Sequence, residues 1–278
     1  IRTSQYSLPG CLNRRMTTSL NTIHPTAIID DGASLGKNVH IGPFVTIAAG
    51  AKLADNVAVE NGAIIHENVE LGEDCYVGLG CILGEKNNNH IKIPDYENPP
   101  LKIGANSTIR SHTIIYAGCD IGKGFQTGHK AVIREDSRFG DNCSFGTLSQ
   151  SDGQVRIGNN CRFHNNVFIA TFTTCEDNVN FFPLSTTVDS LHPPCGEGRM
   201  GPYLEEGVTV GAKVLLLPRI RLGKGCVIAG ASVVTHDIEP YMVAVGVPAK
   251  VLRRRDEIRC HLEDRPAYEV PEEFKNEN

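Results

Sequence analysis

The 278-residue sequence contains no tryptophan, 3 methionines and only 6 % aromatic residues, so we expect no core built around large rings. No apolar run approaches the ~20 residues of a membrane-spanning helix, and we expect no membrane partner. The formal charge of −5 leaves too little positive charge for a broad nucleic-acid-binding surface. The ten cysteines include no Cys-x-x-Cys pair, which argues against zinc sites and disulfides. We therefore expect a cytoplasmic protein whose cysteines are reduced.

Acidic residues are also absent from the beginning of the chain, where the first one is Asp30. The same stretch carries basic residues such as Arg14 and Arg15, and this acid-free, arginine-bearing composition resembles an organellar targeting peptide. The alternative is a vector-derived remnant or a misplaced start, with Met16 as the natural first residue. In both cases we expect residues 1–22 to be disordered and to lie outside the folded domain.

The chain does contain a six-residue repeat. Helical faces recur at three and four residues and a plain strand alternates at two, so neither explains a strict period of six. The same period of six returns after each interruption and continues as far as Val234. The first uninterrupted run of aliphatic residues at this spacing is Ile23, Ile29, Leu35, Ile41, Ile47, Leu53, Val59, Ile65, Leu71, Val77 and Leu83.

Two other positions of the hexad indicate how it folds. Four residues after each aliphatic residue stands a small or β-branched one, such as Ala27 or Val39, on the same side of a strand as the next aliphatic residue. Three residues after it stands a residue that tolerates left-handed backbone angles, such as Asn38 or Gly50. Each hexad is therefore a short strand and a corner, and stacked hexads form a solenoid. Six cysteines occupy the small inward position as packing residues: Cys75, Cys81, Cys119, Cys143, Cys161 and Cys226.

Two stretches interrupt the repeat. Residues 85–102 are polar and proline-bearing, and residues 185–203 are rich in glycine and proline, so we predict loops extruded from the coils, where a rigid scaffold carries function. After Thr235 the sequence predicts a turn and a short amphipathic helix, followed by an acidic tail. We thus predict a β-helix catalytic domain at residues 23–238 and a C-terminal cap and tail at residues 239–278.

Three segments resemble a known family. "VIAGASVVTHDIEPYMVAVGVPAKVLR" is similar to the signature that closes the acetyl-coenzyme A-dependent sugar acetyltransferases of the hexapeptide-repeat class. "IHPTAIIDDGASLGKNVHIGPFVTI" resembles the opening of acyltransferases that act on nucleotide-linked sugars, and "TGHKAVIREDSRFGDN" resembles nucleotide-sugar N-acetyltransferases. The resemblance covers about residues 22–256. It implies an all-β, left-handed parallel β-helix of triangular cross-section, with two extruded loops and a short C-terminal helical cap.

The resemblance also implies a homotrimer that binds acetyl-coenzyme A, as co-substrate, in the groove between neighbouring prisms. Small residues let the pantetheine arm approach the backbone, and cations suit its phosphates. The residues implied for this site lie near the carboxyl-terminal coils: Ala212, Gly230, Ala231, Lys250 and Arg253. Arg254 and Arg255 either extend this basic cluster or lie on a solvated helix face.

The spacing also places polar residues in a column. His129 and Asn165 are 36 residues apart, which is two coils of a three-hexad solenoid, and Thr147 lies midway between them. We therefore expect the three to stack on one outward side over about 10 Å. His164 stands beside Asn165, and the loop that carries His192 could converge on the column. We predict catalytic roles for His129, His164 and Asn165, and substrate contacts for Thr147 and His192.

Glu135 occupies the same hexad position on the next face. Related sugar N-acetyltransferases place a catalytic histidine in the corresponding coil, so Glu135 is a further predicted catalytic residue that departs from the family pattern. Three alternatives for the proton acceptor stay open: Glu135 acts directly or through water, His129 acts instead, or the departing thiolate takes the proton.

The first hypothesis for function is acetyl-coenzyme A-dependent transfer to an amino group of a nucleotide-linked sugar, by direct attack on the thioester, as in polysaccharide assembly. The enzymatic alternatives are sugar O-acetylation and acyl transfer from a carrier protein, which needs a long apolar groove that no sequence feature establishes. β-Helical carbonic anhydrases bind zinc through one histidine and a later His-x4-His motif, but here Ile169 stands in place of the third ligand after His129 and His164, so we expect no metal. The remaining alternative is a non-catalytic scaffold.

Overall fold

The hexads fold into three parallel sheets that wind as a left-handed β-helix, as the sequence predicts. The structure is a computed structural model that describes residues 20–191 and 198–271. Residues 18 positions apart pair in register, as Ile23 does with Ile41 and then Ile41 with Val59. Three short strands therefore make one coil, and each sheet forms one face of a prism.

The strands are short because a corner follows each pair of inward-pointing residues. Sheet A contains Thr22–Ile23, His40–Ile41, Ala58–Val59, Tyr76–Val77, Thr108–Ile109, Gln126–Thr127, Ser144–Phe145, Arg162–Phe163, Asn180–Phe181, Thr209–Val210, Val227–Ile228, Met242–Gly246 and Ala249–Arg254. Sheet B contains Ile28–Ile29, Thr46–Ile47, Ile64–Ile65, Ile82–Glu85, Ile114–Tyr116, Val132–Ile133, Gln150–Ser151, Phe168–Ile169, Thr186–Thr187, Leu215–Leu216 and Val233–Val234. Sheet C contains Ser34–Leu35, Lys52–Leu53, Val69–Leu71, Leu101–Ile103, Asp120–Ile121, Arg138–Phe139, Arg156–Ile157, Thr174–Cys175, Tyr203–Leu204 and Arg221–Leu222.

The corners take the left-handed backbone conformation expected from their residue types. Asn38 and Asn56 have φ angles of 55° and 60°, and Gly50 has a φ of 81°. Asparagine and glycine carry little steric penalty in this region, which is why they recur at this hexad position.

The interior is a continuous apolar column in which every coil contributes residues. The repeat residues Ile41, Ile65 and Ile133 are completely buried. In the middle coils phenylalanines replace the aliphatic residues, and the rings of Phe163 and Phe181 stack with their centroids 5.2 Å apart. The six cysteines predicted to pack inward are buried and carry free thiols.

Both predicted loops leave and re-enter the coils, and the parallel pairing resumes after each of them. The first follows Ile82–Glu85, contains a short helix at Asn88–Lys92, and ends where Leu101 pairs with Val69, 32 positions earlier instead of 18. The second follows Thr186–Thr187 and ends where Tyr203 pairs with Thr174, 29 positions earlier. Each loop is therefore an insertion at one corner of the stack.

The predicted helical cap is wrong in its details. Residues Met242–Gly246 and Ala249–Arg254 form an antiparallel β-hairpin on the end of sheet A, and a 3-10 turn follows at Arg255–Glu257. The apolar strand Met242–Gly246 explains this, because it pairs in parallel with Val227–Ile228 and buries Val243 and Ala244 on the last coil. The hairpin covers part of the open end of the solenoid.

The basic run also differs from the helix face considered above. Arg255 is half-buried, and its guanidinium lies 5.5 Å from the ring of Tyr241 and 5.3 Å from that of Tyr268. It donates hydrogen bonds to the carbonyl oxygens of Gly225 and Glu269, at 2.5 and 3.0 Å. Arg255 therefore ties the first part of the acidic tail to the coils.

Candidate active site

The predicted polar column is present on one edge of the prism. We call the corners between sheets A and B, from residue 128 onward, edge AB; they are residues 128–131, 146–149, 164–167, 182–185, 211–214 and 229–232. Thr147 Oγ1 accepts a hydrogen bond from the His129 backbone N–H at 3.1 Å, and Asn165 Oδ1 accepts one from the Thr147 backbone N–H at 3.0 Å. Each of these side chains therefore accepts a hydrogen bond from a backbone N–H of the preceding coil.

The same hydrogen bond recurs at corners far from this column. Asp55 Oδ1 accepts the Lys37 N–H at 2.7 Å, and Asp141 Oδ1 accepts the Lys123 N–H at 3.0 Å. Thr147 and Asn165 thus have a structural function as corner caps. Their predicted contacts with reacting groups stay predictions.

The two histidines of edge AB have different surroundings. His129 is exposed, and its Nδ1 lies 2.7 Å from Ser111 Oγ, while Nε2 has no hydrogen-bond partner within residues 20–191 and 198–271. The ring of His164 is partly buried and stacks on Phe182 at 4.8 Å between centroids. Burial, assisted by the nearby Arg162 charge, lowers the pKa of His164. A neutral imidazole of this kind can accept a proton at neutral pH.

The residues implied for the acyl donor continue the same column. Ala212 and Gly230 follow Asn165 at the same corner position in later coils, and both are exposed. The hairpin reaches this edge because the Gly246 N–H donates to Ser232 Oγ at 3.1 Å. From Asn165 to Gly230 the column rises by about 15 Å, a span suited to an extended thioester arm.

The remaining donor-site residues lie at the end of this column. Ala231 is exposed, and its N–H donates to the Ala212 carbonyl at 2.8 Å. Lys250 and Arg253 lie on the outer strand of the hairpin, both exposed. Edge AB therefore combines a small-residue surface with positive charge at one end.

Glu135 lies on a different edge, between sheets B and C, which we call edge BC; it includes residues 134–137, 152–155, 170–173 and 217–220. Its carboxylate accepts two hydrogen bonds from Arg134, at 2.6 Å from Nη2 and 3.0 Å from Nε. Arg134 Nη1 also donates to Asp152 Oδ1 at 2.8 Å. Burial acts to lower the pKa of Arg134. The hydrogen bond to Glu135 and the charges of Glu135 and Asp152 raise that pKa overall.

Two adjoining clefts open on edge BC. The first has a volume of about 490 Å³ and is lined by residues that include Arg134, Glu135 and Asp152. The second has a volume of about 420 Å³ and is lined by residues that include Arg156. Both clefts share Gln154, Phe172 and Arg199, so they form one continuous groove beside the second loop. This volume suits a ligand the size of a nucleotide sugar.

Curated proteins with similar sequences were found, although no family model matches the chain. The acyl-[acyl-carrier-protein]–UDP-N-acetylglucosamine O-acyltransferase of Bartonella henselae is 31 % identical over 229 residues, which cover 82 % of this chain and 68 % of that protein. The chain belongs to this acyltransferase family.

Further similarities agree with this family. The Campylobacter lari protein of the same name is 29 % identical over 243 residues, covering 85 % of this chain and 77 % of its own length. Among solved structures, the Arabidopsis UDP-N-acetylglucosamine acyltransferase matches with a TM-score of 0.56 and 20 % identity, over 84 % of this chain and 74 % of that one. The structural match shows the shared fold.

Membership of this family confirms the prediction of a hexapeptide-repeat acyltransferase. The names of the relatives differ from the first hypothesis in the acyl donor and in the group that is acylated. The relatives are named for O-acyl transfer from an acyl carrier protein, whereas the closing signature led us to expect acetyl-coenzyme A and an amine. The structure also contains no group of three potential metal ligands, and no helix long enough to span a membrane, within its described residues.

Within one chain, the predicted site residues fall on two edges, as the hexad positions of His129 and Glu135 indicated. His129 and Glu135 belong to successive corners, which one hexad of extended chain separates by about 15–20 Å. They cannot contact one small substrate from the same protomer. His192 lies outside the described residues, between Leu191 and Gly198.

Sequence reasoning missed several residues of edge BC. Arg134, Asp152 and Phe172 line the cleft that holds Glu135. One signal was available, because Arg134 and Asp152 are 18 residues apart and therefore vertical neighbours. Phe172 was harder to find, since Phe44 stands at the same corner position in an early coil and the position alone does not mark a site.

Proposed function

We propose that this acyltransferase moves an acyl group from the phosphopantetheine thioester of an acyl carrier protein to a hydroxyl group of UDP-linked N-acetylglucosamine. The observation that carries the proposal is the identity of 31 % over 229 residues with an enzyme named for that reaction. The adjoining clefts on edge BC support it, because together they have the size and polarity of a nucleotide-sugar site.

In this proposal the donor arm lies along edge AB. Coenzyme A and acyl carrier protein present the same phosphopantetheine arm, so Ala212, Gly230 and Ala231 would serve either donor. Their exposed backbone can hydrogen-bond the amides of the arm. Lys250 and Arg253 would then meet the phosphate at its far end.

The reaction needs a nucleophile, a proton acceptor and a leaving group. The sugar hydroxyl attacks the thioester carbonyl, a C–O bond forms, and the C–S bond then breaks. His129 is the proposed acceptor of the hydroxyl proton, because a Nδ1–H bonded to Ser111 would leave Nε2 unprotonated. The proton then passes to the departing thiolate, which leaves as the free thiol.

Because His129 and Glu135 lie on different edges, we propose that the active site is assembled between neighbouring copies in a homotrimer. One protomer would supply edge AB with the donor and His129, and its neighbour would supply the clefts of edge BC with the acceptor. Such sharing places both predicted residues at one centre without changing the fold of either chain.

The test is a matrix of donors and acceptors. Purified protein is incubated with acyl-carrier-protein thioesters of several chain lengths or with acetyl-coenzyme A, each combined with UDP-N-acetylglucosamine or UDP-linked amino sugars. Thiol release and product mass are measured, and mild hydroxylamine separates esters from amides. The proposal expects an ester formed from the carrier thioester, and the absence of any acyl product would refute it.

A second candidate is acetyl transfer from acetyl-coenzyme A to an amino sugar, which the Arg134–Glu135 pair favours. Both oxygens of Glu135 are engaged by Arg134, so the carboxylate is poorly placed to deprotonate a hydroxyl. A neutral amine attacks without prior loss of a proton, which makes a strong base unnecessary. An amide product in the same matrix would select this candidate.

A further inference from the structure

Two arginines lie side by side on the outer surface of sheet C. Arg138 and Arg156 are register partners on adjacent strands, and both are exposed. Arg156 Nη1 donates to the backbone carbonyls of Asp136 and Val155, at 2.7 and 3.0 Å. Its Nε and Nη2 make no hydrogen bond, and neither arginine forms an ion pair, within the part of the chain that the structure describes. Like charges directly opposite each other destabilise a sheet.

The rest of this outward column avoids such repulsion. Lys52 and Glu70 are register partners joined by an ion pair of 2.8 Å. Lys102 is likewise the register partner of Asp120. The stacked arginines therefore break the pattern of the sheet at the coils that border the clefts. Asp136 lies close enough to Arg156 for the positive charge to act on its carboxyl and lower the pKa. Burial and the charge of Glu135 nevertheless raise the pKa of Asp136 overall.

The cleft next to Arg156 also contains an exposed aromatic ring. Phe172 lines the cleft from a corner with a φ of 61° and is 43 % exposed. Both charged residues that line this 420 Å³ cleft, Arg156 and Arg199, are cationic, and Arg199 Nε lies 4.0 Å from Asp189 Oδ2. An exposed ring beside two guanidinium groups in one cleft points to a ligand that has both a planar ring and negative charge.

We infer that the 420 Å³ cleft binds the nucleoside diphosphate of the acceptor, with the diphosphate on Arg156, which lines the cleft and has Arg138 on the neighbouring strand, and the base on Phe172. The inference rests on the proposed function for its orientation only: the sugar would extend into the neighbouring cleft, toward Glu135. Guanidinium groups recognise phosphate oxygens in pairs, and an aromatic face stacks on a base.

The experiment measures binding in the absence of any acyl donor. Isothermal titration calorimetry with UDP, uridine and inorganic pyrophosphate is performed on the full chain and on the variants Arg156→Gln and Phe172→Asn. Asparagine suits the left-handed corner, so Phe172→Asn removes the ring without straining the fold. Matched controls are Lys102→Gln, on the same outward column, and Phe44→Asn, at a left-handed corner of an early coil with a φ of 57°.

The inference predicts separate losses for the two parts of the ligand. Arg156→Gln should weaken UDP and pyrophosphate by at least about tenfold, whereas Phe172→Asn should weaken UDP and leave pyrophosphate unchanged. Both controls should bind as the parent does. Native UDP affinity in both cleft variants, or no UDP binding by the parent protein, would overturn the inference. This binding measurement does not depend on acyl transfer. If the protein forms no acyl product but binds UDP with the losses predicted here, only the proposed reaction is refuted.

Discussion

Arg134 and Glu135 are neighbours in sequence whose side chains are joined by two hydrogen bonds, of 2.6 and 3.0 Å. Asp152 in the next coil holds the same guanidinium at 2.8 Å. Proton transfer to Glu135 would weaken these bonds, because it removes the negative charge that Arg134 stabilises. We therefore expect the Arg134–Glu135 pair to shape the cleft and not to accept a proton from the substrate.

We expect Glu135→Gln to lower kcat by less than about tenfold, because a base contributes far more, about 10²–10⁴-fold. The amide keeps the shape of the side chain and one acceptor for Arg134. Steady-state kinetics across pH are the measurement, with Asp152→Asn as the control that perturbs the same guanidinium. A hundredfold loss together with a missing limb in the pH–rate profile would instead identify Glu135 as the base.

His129→Gln should have the larger effect. If Nε2 accepts the acceptor proton, removing the imidazole lowers kcat by about 10²-fold or more, while KM for the nucleotide sugar stays nearly constant. Ser111→Ala, which removes only the partner of Nδ1, should give a smaller loss. Equal activity in His129→Gln and the parent protein would leave the departing thiolate as the proton acceptor.

The stability of the fold should depend on pH through His164. Its lowered pKa means that the unfolded chain takes up a proton at a higher pH than the native protein does. The stabilisation is therefore complete above the ordinary histidine pKa and is lost as pH falls through the lowered value. Chemical denaturation at a series of pH values between neutral and mildly acidic measures this. His164→Phe keeps the stack on Phe182 and should flatten the dependence; an unchanged slope would contradict the assignment.

Ser151 offers a stabilising substitution. It occupies an aliphatic position between Ile133 and Ile169, is 1 % exposed, and its hydroxyl has no partner within the described residues. Ser151→Val should raise the free energy of unfolding by about 1 kcal/mol, by burying methyl groups and removing an unsatisfied hydroxyl.

The matched control for Ser151 is Thr127→Val at the corresponding position of another face. Thr127 Oγ1 accepts the Arg110 N–H at 2.8 Å, so its loss should destabilise the fold by about 1 kcal/mol. Denaturant unfolding of both variants tests the contrast, which fails if both substitutions shift stability in the same direction.

Arg255 should be important for the C-terminal segment. Arg255→Ala removes two stacked contacts with tyrosine rings and two hydrogen bonds to carbonyls, with an expected cost of roughly 2 kcal/mol. Hydrogen exchange should increase at the backbone around Tyr268. Arg259→Ala, an exposed arginine of the same segment, is the control and should change neither measurement.

The sequence predicted the coils well because their register follows from one period. Once residues 18 apart are stacked, the positions of His129, Thr147 and Asn165 follow by counting, and the structure has them in contact through their backbones and side chains. The cap was less predictable, because the valines around Pro248 suit either a helix end or a hairpin until the open edge of sheet A is known.

The site was harder to predict than the fold. A period places each residue on an edge, but it does not say which edges face each other in an assembly. The ion pair between Arg134 and Glu135 depends on side-chain rotamers at a corner, which no spacing encodes. Phe172 is recognised as a cleft residue only when the lining of the groove is known, because Phe44 has a similar φ and is more exposed.

The whole-coil pairing of Val69 with Leu101, despite the insertion between them, has a consequence for engineering. The length of the solenoid changes in whole steps, because every added coil raises the terminal hairpin by one interstrand spacing, about 4.8 Å. Inserting or deleting one complete coil between the groove and the hairpin would therefore lengthen or shorten the molecule by that spacing. The length of donor arm that fits could thus be tuned stepwise, with the chemistry at each end left intact.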